Sequence, residues 1–325
     1  MSGGNAHVLL TGATGFVGKV VLEHLIRQRK HLEIERVYVL IRPKRGTTPS
    51  ERFVSKVSSS ECFAHFQENW TDFVEIVGGD MTVDLFGLDS VDYEQLNSQI
   101  THIIHCAASI DFDLPIAQAS EVNITGALNV LEFARSCSNL RAFTDTSTAY
   151  VTAAASNDSP LEEVLPTLPW DAEEIYEKIL NGVDEKITEQ WLIESGHPNT
   201  YTFTKSLSEL ILAKRRGDVP LSFVRPSIIA VSLQYPRPGW IDSRAAYAGF
   251  IFMIGSGFMH TVVADPETPL DVVPCDIVAQ RLIEATFEQN IDRNSLPILY
   301  AVAGRKHSVR IGDLQELLTG FFQTH

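Results

Sequence analysis

Two rhythms of apolar and polar positions run along this 325-residue chain. Short strand-like runs recur at 7–10, 36–42, 73–77, 100–106, 141–146 and 221–225. Between them lie longer stretches with apolar residues every three or four positions, among them 17–27, 120–135 and 201–214. Short apolar runs read as strands covered on both faces, and the wider spacing reads as amphipathic helix. Their alternation predicts an α/β protein with a parallel sheet, right-handed crossovers and ligands at the carboxyl ends of the strands. Weaker signals extend the pattern, with strands at 270–274 and 298–302 and helices at 277–289 and 311–322.

Two segments break the rhythm. From 153 to 198 prolines, acidic residues, Trp170 and Trp191 predominate, with helices predicted near 172–180 and 184–194. This insertion, 151–200, reads as a lid or substrate wall over the active-site side. The second segment, 245–259 (AAYAGFIFMIGSGFM), is rich in Phe, Met and Gly. It is either a pliable wall for an alkyl chain or a buried core helix. Glycines, Ser256 and His260 make 245–263 too broken for a membrane span, which leaves peripheral contact with a lipid surface open. The chain stops at Phe321-Phe322-Gln323-Thr324-His325 without a C-cap glycine, so a domain of a longer polypeptide is expected.

Composition narrows the class. With 44% hydrophobic and 21% charged residues the chain has the make-up of a globular enzyme. A net charge of −15 argues against a nucleic-acid binder, which needs cations to displace counterions. Cys62, Cys106, Cys137 and Cys275 show no metal-ligand spacing, and no metal site is expected. They read as small buried hydrophobes in a reducing, intracellular compartment, cytoplasmic or peripherally membrane-associated.

The chemistry starts at TGATGFVG, residues 11–18, between the first strand and the first helix. Gly12 permits a tight exit from the strand, Gly15 lets backbone approach a diphosphate, and Gly18 lets helix and strand pack closely. The helix N-terminus then offers free N–H groups to the phosphates. The fold class is therefore a Rossmann-type, doubly wound parallel sheet over 1–230, followed by a C-terminal α/β substrate-binding portion over 231–325. The second strand ends in Arg42, Lys44 and Arg45 with no carboxylate at its tip, which favours the 2′-phosphate of NADPH. Asp80, after the third strand, either accepts from the adenine amino group or caps the following turn. Asn123, inside the 120–135 helix, either bridges a backbone break, holds a water or faces solvent.

The fifth strand delivers Ser147 and Thr148 to the same edge. Tyr201 and Lys205 lie four apart on one helical face. An ammonium beside a phenol lowers its pKa from the reference of about 10, so Tyr201 is expected to be a proton donor near neutral pH.

TGATGFVG, VYVLIRPKRG, HCAAS, VNITGALNVLEFA, STAY, PNTYTFTK, VRPSII and DVVPCDIVAQ together resemble the extended short-chain dehydrogenase/reductase superfamily. More narrowly, the chain resembles the NADPH-dependent reductase domain of fatty acyl-CoA reductases, the male-sterility family, over nearly its whole length. The resemblance implies that Gly12, Thr14, Gly15, Phe16, Val17 and Gly18 hold the diphosphate. Arg42, helped by Lys44 or Arg45, would take the 2′-phosphate. Asp80 and Met81 would flank adenine, Ala107 and Ala108 the ribose side, and Asn123, Pro226 and Ile228 would complete the cofactor site. Thr148, or Ser147 in its place, would bind the reacting carbonyl, Tyr201 would protonate it, and Lys205 would hold the nicotinamide ribose. The implied reaction is reduction of an acyl-CoA thioester to aldehyde and on to alcohol, with no covalent enzyme thioester. The alternatives are a thioester reductase acting on carrier-bound acyl groups, a sugar-nucleotide epimerase or dehydratase, or a non-catalytic NADP-binding sensor.

Overall fold

The computed structural model describes residues 5–66, 69–152, 160–243, 246–288 and 294–324. Residues 153–159 of the expected insertion, 245 of the apolar segment and 289 of the expected late helix lie outside them.

Eleven strands are formed among the described residues: β1 (Ala6–Thr11), β2 (Ile34–Ile41), β3 (Val74–Gly78), β4 (His102–His105), β5 (Ala142–Thr146), β6 (Leu221–Pro226), β7 (Ile228–Ala230), β8 (Pro269–Leu270), β9 (Val272–Pro274), β10 (Ile298–Ala301) and β11 (Val309–Arg310). Seven of them make one parallel sheet in the order β10-β6-β5-β4-β1-β2-β3. Leu10 pairs with Val39 on one side and Ile104 on the other. The chain runs outward from β1 to β3, then returns to continue from β4 on the opposite side. The crevice between β1 and β4 is thus the switch point of a doubly wound sheet, where ligands bind.

Both faces are covered, which explains the unbroken apolar runs. In β1, Leu9 packs into the core with Ile103, Phe143 and Phe203, while Val8 and Leu10 point to the other face with Val39, Ile104 and Val224. The helices Gly126–Ser136 and Thr200–Arg215 cover the first face, and Phe16–Gln28 and Cys275–Phe287 cover the second. After 230 the chain therefore crosses back, and β10 completes the main sheet beside β6. The expected 270–274 strand is split: Leu270 pairs antiparallel with β11, while β9 pairs parallel with β7.

The expected helix at 120–135 is interrupted. A wide turn at Glu121–Thr125 separates Ile116–Ser120 from Gly126–Ser136. Wide turns of this kind recur at functional sites.

In the insertion, the helices Ala172–Leu180 and Glu185–Ser195 bury Ile175, Tyr176, Ile179 and Trp191 in the core that the 200–215 helix shares. Trp191 is buried against Phe203, ring centroids 6.4 Å apart. Arg225, fully buried, pairs with Glu209 at 2.6 Å and donates to the Val164 carbonyl and the Tyr300 hydroxyl. One guanidinium thereby joins the insertion, the 200–215 helix and β10.

Another tie matters for the site. The 232–242 segment lies along the first helix: Trp240 packs on Phe16 with centroids 5.8 Å apart, Asp242 pairs with Lys19, and Arg27 sits 3.7 Å over the Tyr235 ring.

Candidate active site

Among the described residues no helix is long and apolar enough to cross a membrane, and no group of His, Cys, Asp and Glu is placed to hold a metal ion.

The glycine turn is built to be filled by something other than side chains. Gly12 has φ +78°, and a Cβ there would lie 2.7 Å from the Ala107 backbone nitrogen. Gly18 packs on the same turn from the helix side. Gly15 caps the helix Phe16–Gln28 with no side-chain hydrogen bond, and no acidic residue stands in its first turn. Its leading N–H groups are left for an anion, so these residues fit the diphosphate of a dinucleotide. Thr14, Phe16 and Val17 border this turn, half-buried.

At the far end of the crevice, Arg42 is exposed and lies 3.7 Å from Asp80 Oδ2. Asp80 Oδ1 accepts from the Thr82 backbone N–H and hydroxyl, so the carboxylate does cap its turn while its other oxygen faces Arg42. Lys44 and Arg45 are exposed on a tight turn in which the backbones of Lys44 and Thr47 bond each other. Arg52 is a cation the sequence reading passed over. It donates to the Arg42 carbonyl, from the helix Pro49–Phe53 capped reciprocally by Thr48 and Glu51. Burial and the Arg42 charge lower its pKa. Met81 is buried against Gly126, where a Cβ would meet its Cε at 2.9 Å.

Ala107 and Ala108 follow β4, and the Ala107 N–H donates to Thr11 Oγ1 at 3.2 Å. Asn123 uses its amide on protein: it accepts from Ser109 N–H at 2.8 Å and donates to the Ser109 carbonyl and the Thr204 hydroxyl at 3.1 Å each. From within the wide turn it braces the loop after β4 against the helix that carries Tyr201 and Lys205.

That helix, Thr200–Arg215, starts at Asn199, whose side chain accepts from Thr202 N–H. The Thr148 hydroxyl acts on the Tyr201 phenol, and Thr148 Oγ1 approaches the Pro226 carbonyl at 3.5 Å. Ser147 is buried with its hydroxyl unpartnered. The expected lowering of the Tyr201 pKa is not what this arrangement gives. Burial pushes the phenol up to about 12, the Thr148 hydroxyl pulls the other way, and the charge of Asp145 adds to the rise. Lys205 is almost fully buried, its amine 3.4 Å from Asp145 Oδ2. His105 lies 3.8 Å from the other Asp145 oxygen and bonds Thr11 through Nδ1 at 2.7 Å. Burial pulls its pKa down to about 4, so it is neutral. A chain of buried polar groups thus runs from β1 through β4 and β5 to Lys205, of which the sequence reading had only the last member.

Tyr201, Tyr150, Ser227 and Ile228 open onto a cavity of about 1530 Å³. Phe250, Ile254, Met259, Leu314 and Leu318 give it an apolar lining. The helix Ala246–Gly255 is no core helix, since Phe252 is 65% exposed while Phe250 faces the cavity. Met253 and Gly257 are not among the lining residues.

Residues 10–282 match the family profile of the male sterility protein. The chain belongs to the male sterility protein family. The crevice is accordingly that of a nicotinamide-dinucleotide domain of the male sterility type. Fatty acyl-CoA reductase 2 of Mus musculus is 33% identical over 301 residues, covering 91% of this chain and 57% of its own. Fatty acyl-CoA reductase 1 of Gallus gallus is 33% identical over 292 residues, covering 88% and 55%. The chain thus spans a little over half the length of these relatives. The terminal R domain from the myxalamid PKS-NRPS biosynthetic pathway superposes with a TM-score of 0.75 at 21% identity, over 99% of this chain and 71% of that one. That likeness bears out the fold.

Proposed function

We propose that this chain reduces a fatty acyl-CoA thioester with NADPH, giving the aldehyde and then the alcohol. The observation that carries the reading is the cavity itself: Tyr201, with Thr148 beside it, lines a large space that Phe250, Ile254, Met259, Leu314 and Leu318 also line. The names of the fatty acyl-CoA reductases among its relatives support it. When bound, reduced nicotinamide supplies the hydride. Arg42, with Arg52 behind it, would neutralise the 2′-phosphate, and the first turn of the Phe16–Gln28 helix would hold the diphosphate. Thr148 would orient the carbonyl oxygen by hydrogen bonding, and Tyr201 would deliver its proton to that oxygen as charge develops there. Lys205 would fix the nicotinamide ribose. Loss of the CoA thiol from the resulting hemithioacetal frees the aldehyde for a second round at the same pair.

Arg305 lines the cavity, with Lys306 and His307 exposed beside it, in a chain whose net charge is −15. This rim suits the phosphates on the CoA end of the thioester. Exposed Phe252, Phe258 and Val263 lie on the outer side of the apolar wall, where peripheral contact with a lipid surface would be made. The unpaired Cys62, Cys106, Cys137 and Cys275 fit an intracellular, reducing compartment.

The test is NADPH oxidation against acyl-CoAs of graded length, with products identified by chromatography. Chain-length-dependent turnover to aldehyde or alcohol is expected. Turnover of carrier-bound thioesters alone, or of UDP-sugars alone, overturns the acyl-CoA reading.

A further inference from the structure

Phe112 is a large apolar side chain left 53% exposed, and it lines the cavity. Its ring lies beside that of Tyr201, centroids 5.7 Å apart and planes tilted by 31°. The strap that carries it, 107–115, is tied down on either side of the ring. On one side Asn123 holds the N–H and the carbonyl of Ser109. On the other the Thr200 hydroxyl donates to the Leu114 carbonyl at 2.9 Å and lies 3.4 Å from that of Phe112. At the tip, Asp113 N–H donates to Asp111 Oδ1 at 3.0 Å. Thr200 directly precedes Tyr201, so neighbouring residues of one helix set both the phenol and the ring against it.

We propose that Phe112 is a specificity-determining residue: its ring fills the space beside the carbon next to the reacting carbonyl, so that unbranched acyl chains pass and chains branched at that carbon are turned away. The inference deepens the reading of this site as an acyl reductase and rests on Tyr201 as its proton donor.

A carbonyl oxygen that takes its proton from Tyr201 comes within about 2.6–3.2 Å of the phenol oxygen. The carbonyl carbon and the first carbon of the acyl chain follow one and two bonds further on, within reach of a ring packed against the phenol. Asp111 and Asp113, exposed on either side of Phe112, set carboxylates around the ring. They repel the phosphates of CoA, so the part of the substrate that runs past Phe112 is the acyl chain. A methylene lies flat against an aromatic face, whereas a methyl branch drives a second substituent into it. A ring whose backbone is pinned at Ser109 and Leu114 cannot back away from that branch without disturbing the strap.

The experiment measures kcat/KM for NADPH-dependent reduction of decanal and of its α-methyl homologue by the wild type, Phe112→Ala and Phe112→Trp. One methyl group in an apolar pocket is worth about 10–200-fold, and the wild type should favour the unbranched aldehyde by a ratio in that range. Phe112→Ala should bring the ratio close to unity, chiefly by raising the rate on the branched aldehyde. Phe112→Trp should keep the ratio or widen it. If Phe112 merely supports the Tyr201 ring, Phe112→Ala lowers both rates alike and leaves the ratio where it was, which overturns the proposal. A wild type indifferent to the branch overturns it too.

Should a thermal melt show Phe112→Ala unfolded, Phe112→Leu takes its place, and its ratio must fall below that of the wild type. Turnover of neither aldehyde by the wild type sinks the reductase reading, and binding then decides the part played by Phe112. Calorimetric Kd values for decanoyl-CoA and its α-methyl homologue are compared with NADP+ present. A preference for the unbranched chain that Phe112→Ala loses upholds the proposal; equal affinities, or no binding of either, overturn it.

Discussion

Gly18 packs onto Gly12 across the first turn, so closely that a Cβ at 18 would lie 2.2 Å from the Gly12 carbonyl oxygen. That atom is backbone and cannot swing aside. Gly18→Ala therefore pushes the helix Phe16–Gln28 off its seat, at the roughly 1–3 kcal/mol typical of overpacking. The variant should melt lower and bind NADPH roughly tenfold more weakly by fluorescence titration, a decade being about 1.4 kcal/mol. An unchanged Kd would take the turn out of nucleotide binding.

Arg42 offers the exposed guanidinium at the end of β2, with Arg52 donating to its carbonyl. Losing a charge-assisted hydrogen bond costs about 1.5–3 kcal/mol. Arg42→Ala should weaken NADPH by that amount and leave NADH nearly untouched. Equal losses for both nucleotides would make Arg42 a structural residue.

Tyr201→Phe keeps the ring against Phe112, 5.7 Å away between centroids, and removes the hydroxyl beside Thr148. Proton transfer of this kind is worth ~10²–10⁴-fold in rate. Turnover should drop by that range with NADPH binding preserved. Near-normal turnover in a folded variant removes Tyr201 from the chemistry.

Within the apolar wall, Phe250 and Ile254 face the cavity. Each buried methylene is worth up to ~0.8 kcal/mol, or roughly fourfold in affinity. kcat/KM should climb with acyl length and then level off. Phe250→Ala should extend the climb to longer chains, and Ile254→Phe should end it earlier. A plateau that neither substitution shifts places the chain elsewhere.

Acid stability has a separate origin. Burial lowers the pKa of His102 and of His105 from 6.5 to about 4. Below 6.5 the unfolded chain takes up protons that the folded one refuses, so the stabilisation is full above pH 6.5 and is lost as pH falls toward 4. His102, stacked on Phe287 at 4.6 Å, stands apart from the reacting groups. His102→Gln should flatten the dependence of urea-unfolding free energy on pH across that window. An unaltered slope would assign the acid limb to other groups.

What was legible in the sequence was what is local. The glycine turn, the run at 36–42 and the Tyr201–Lys205 pair each fit within a few residues, and their spacing carries their geometry. Asp145 reaches Lys205 across 60 positions, and only its charge within a strand covered on both faces marked it as needing a partner. The phenol was misjudged for the same reason: the neighbouring lysine is visible in sequence, whereas burial and the Asp145 charge are tertiary. The break at Glu121–Thr125 preserves the apolar spacing on either side, so the stretch reads as one helix. Arg52 followed a readable capping signal, Thr48 to Glu51, but nothing local brings it under the end of β2. Which side of the 246–255 helix faces the cavity depends on its packing on the helix Ile311–Thr324. There Gly255 meets Phe322 so tightly that a Cβ would lie 2.2 Å from the ring.

Trp240, Asp242 and Tyr235 together grip the Phe16–Gln28 helix. The backbone leading into the apolar wall hangs from the element that receives the diphosphate. On the proposed function, the helix that would receive the phosphates is thus also the anchor of the segment that precedes the 246–255 helix. A substitution that loosens Trp240 from Phe16 would then be felt at both ends, in the hold on the dinucleotide and in the acyl length accepted.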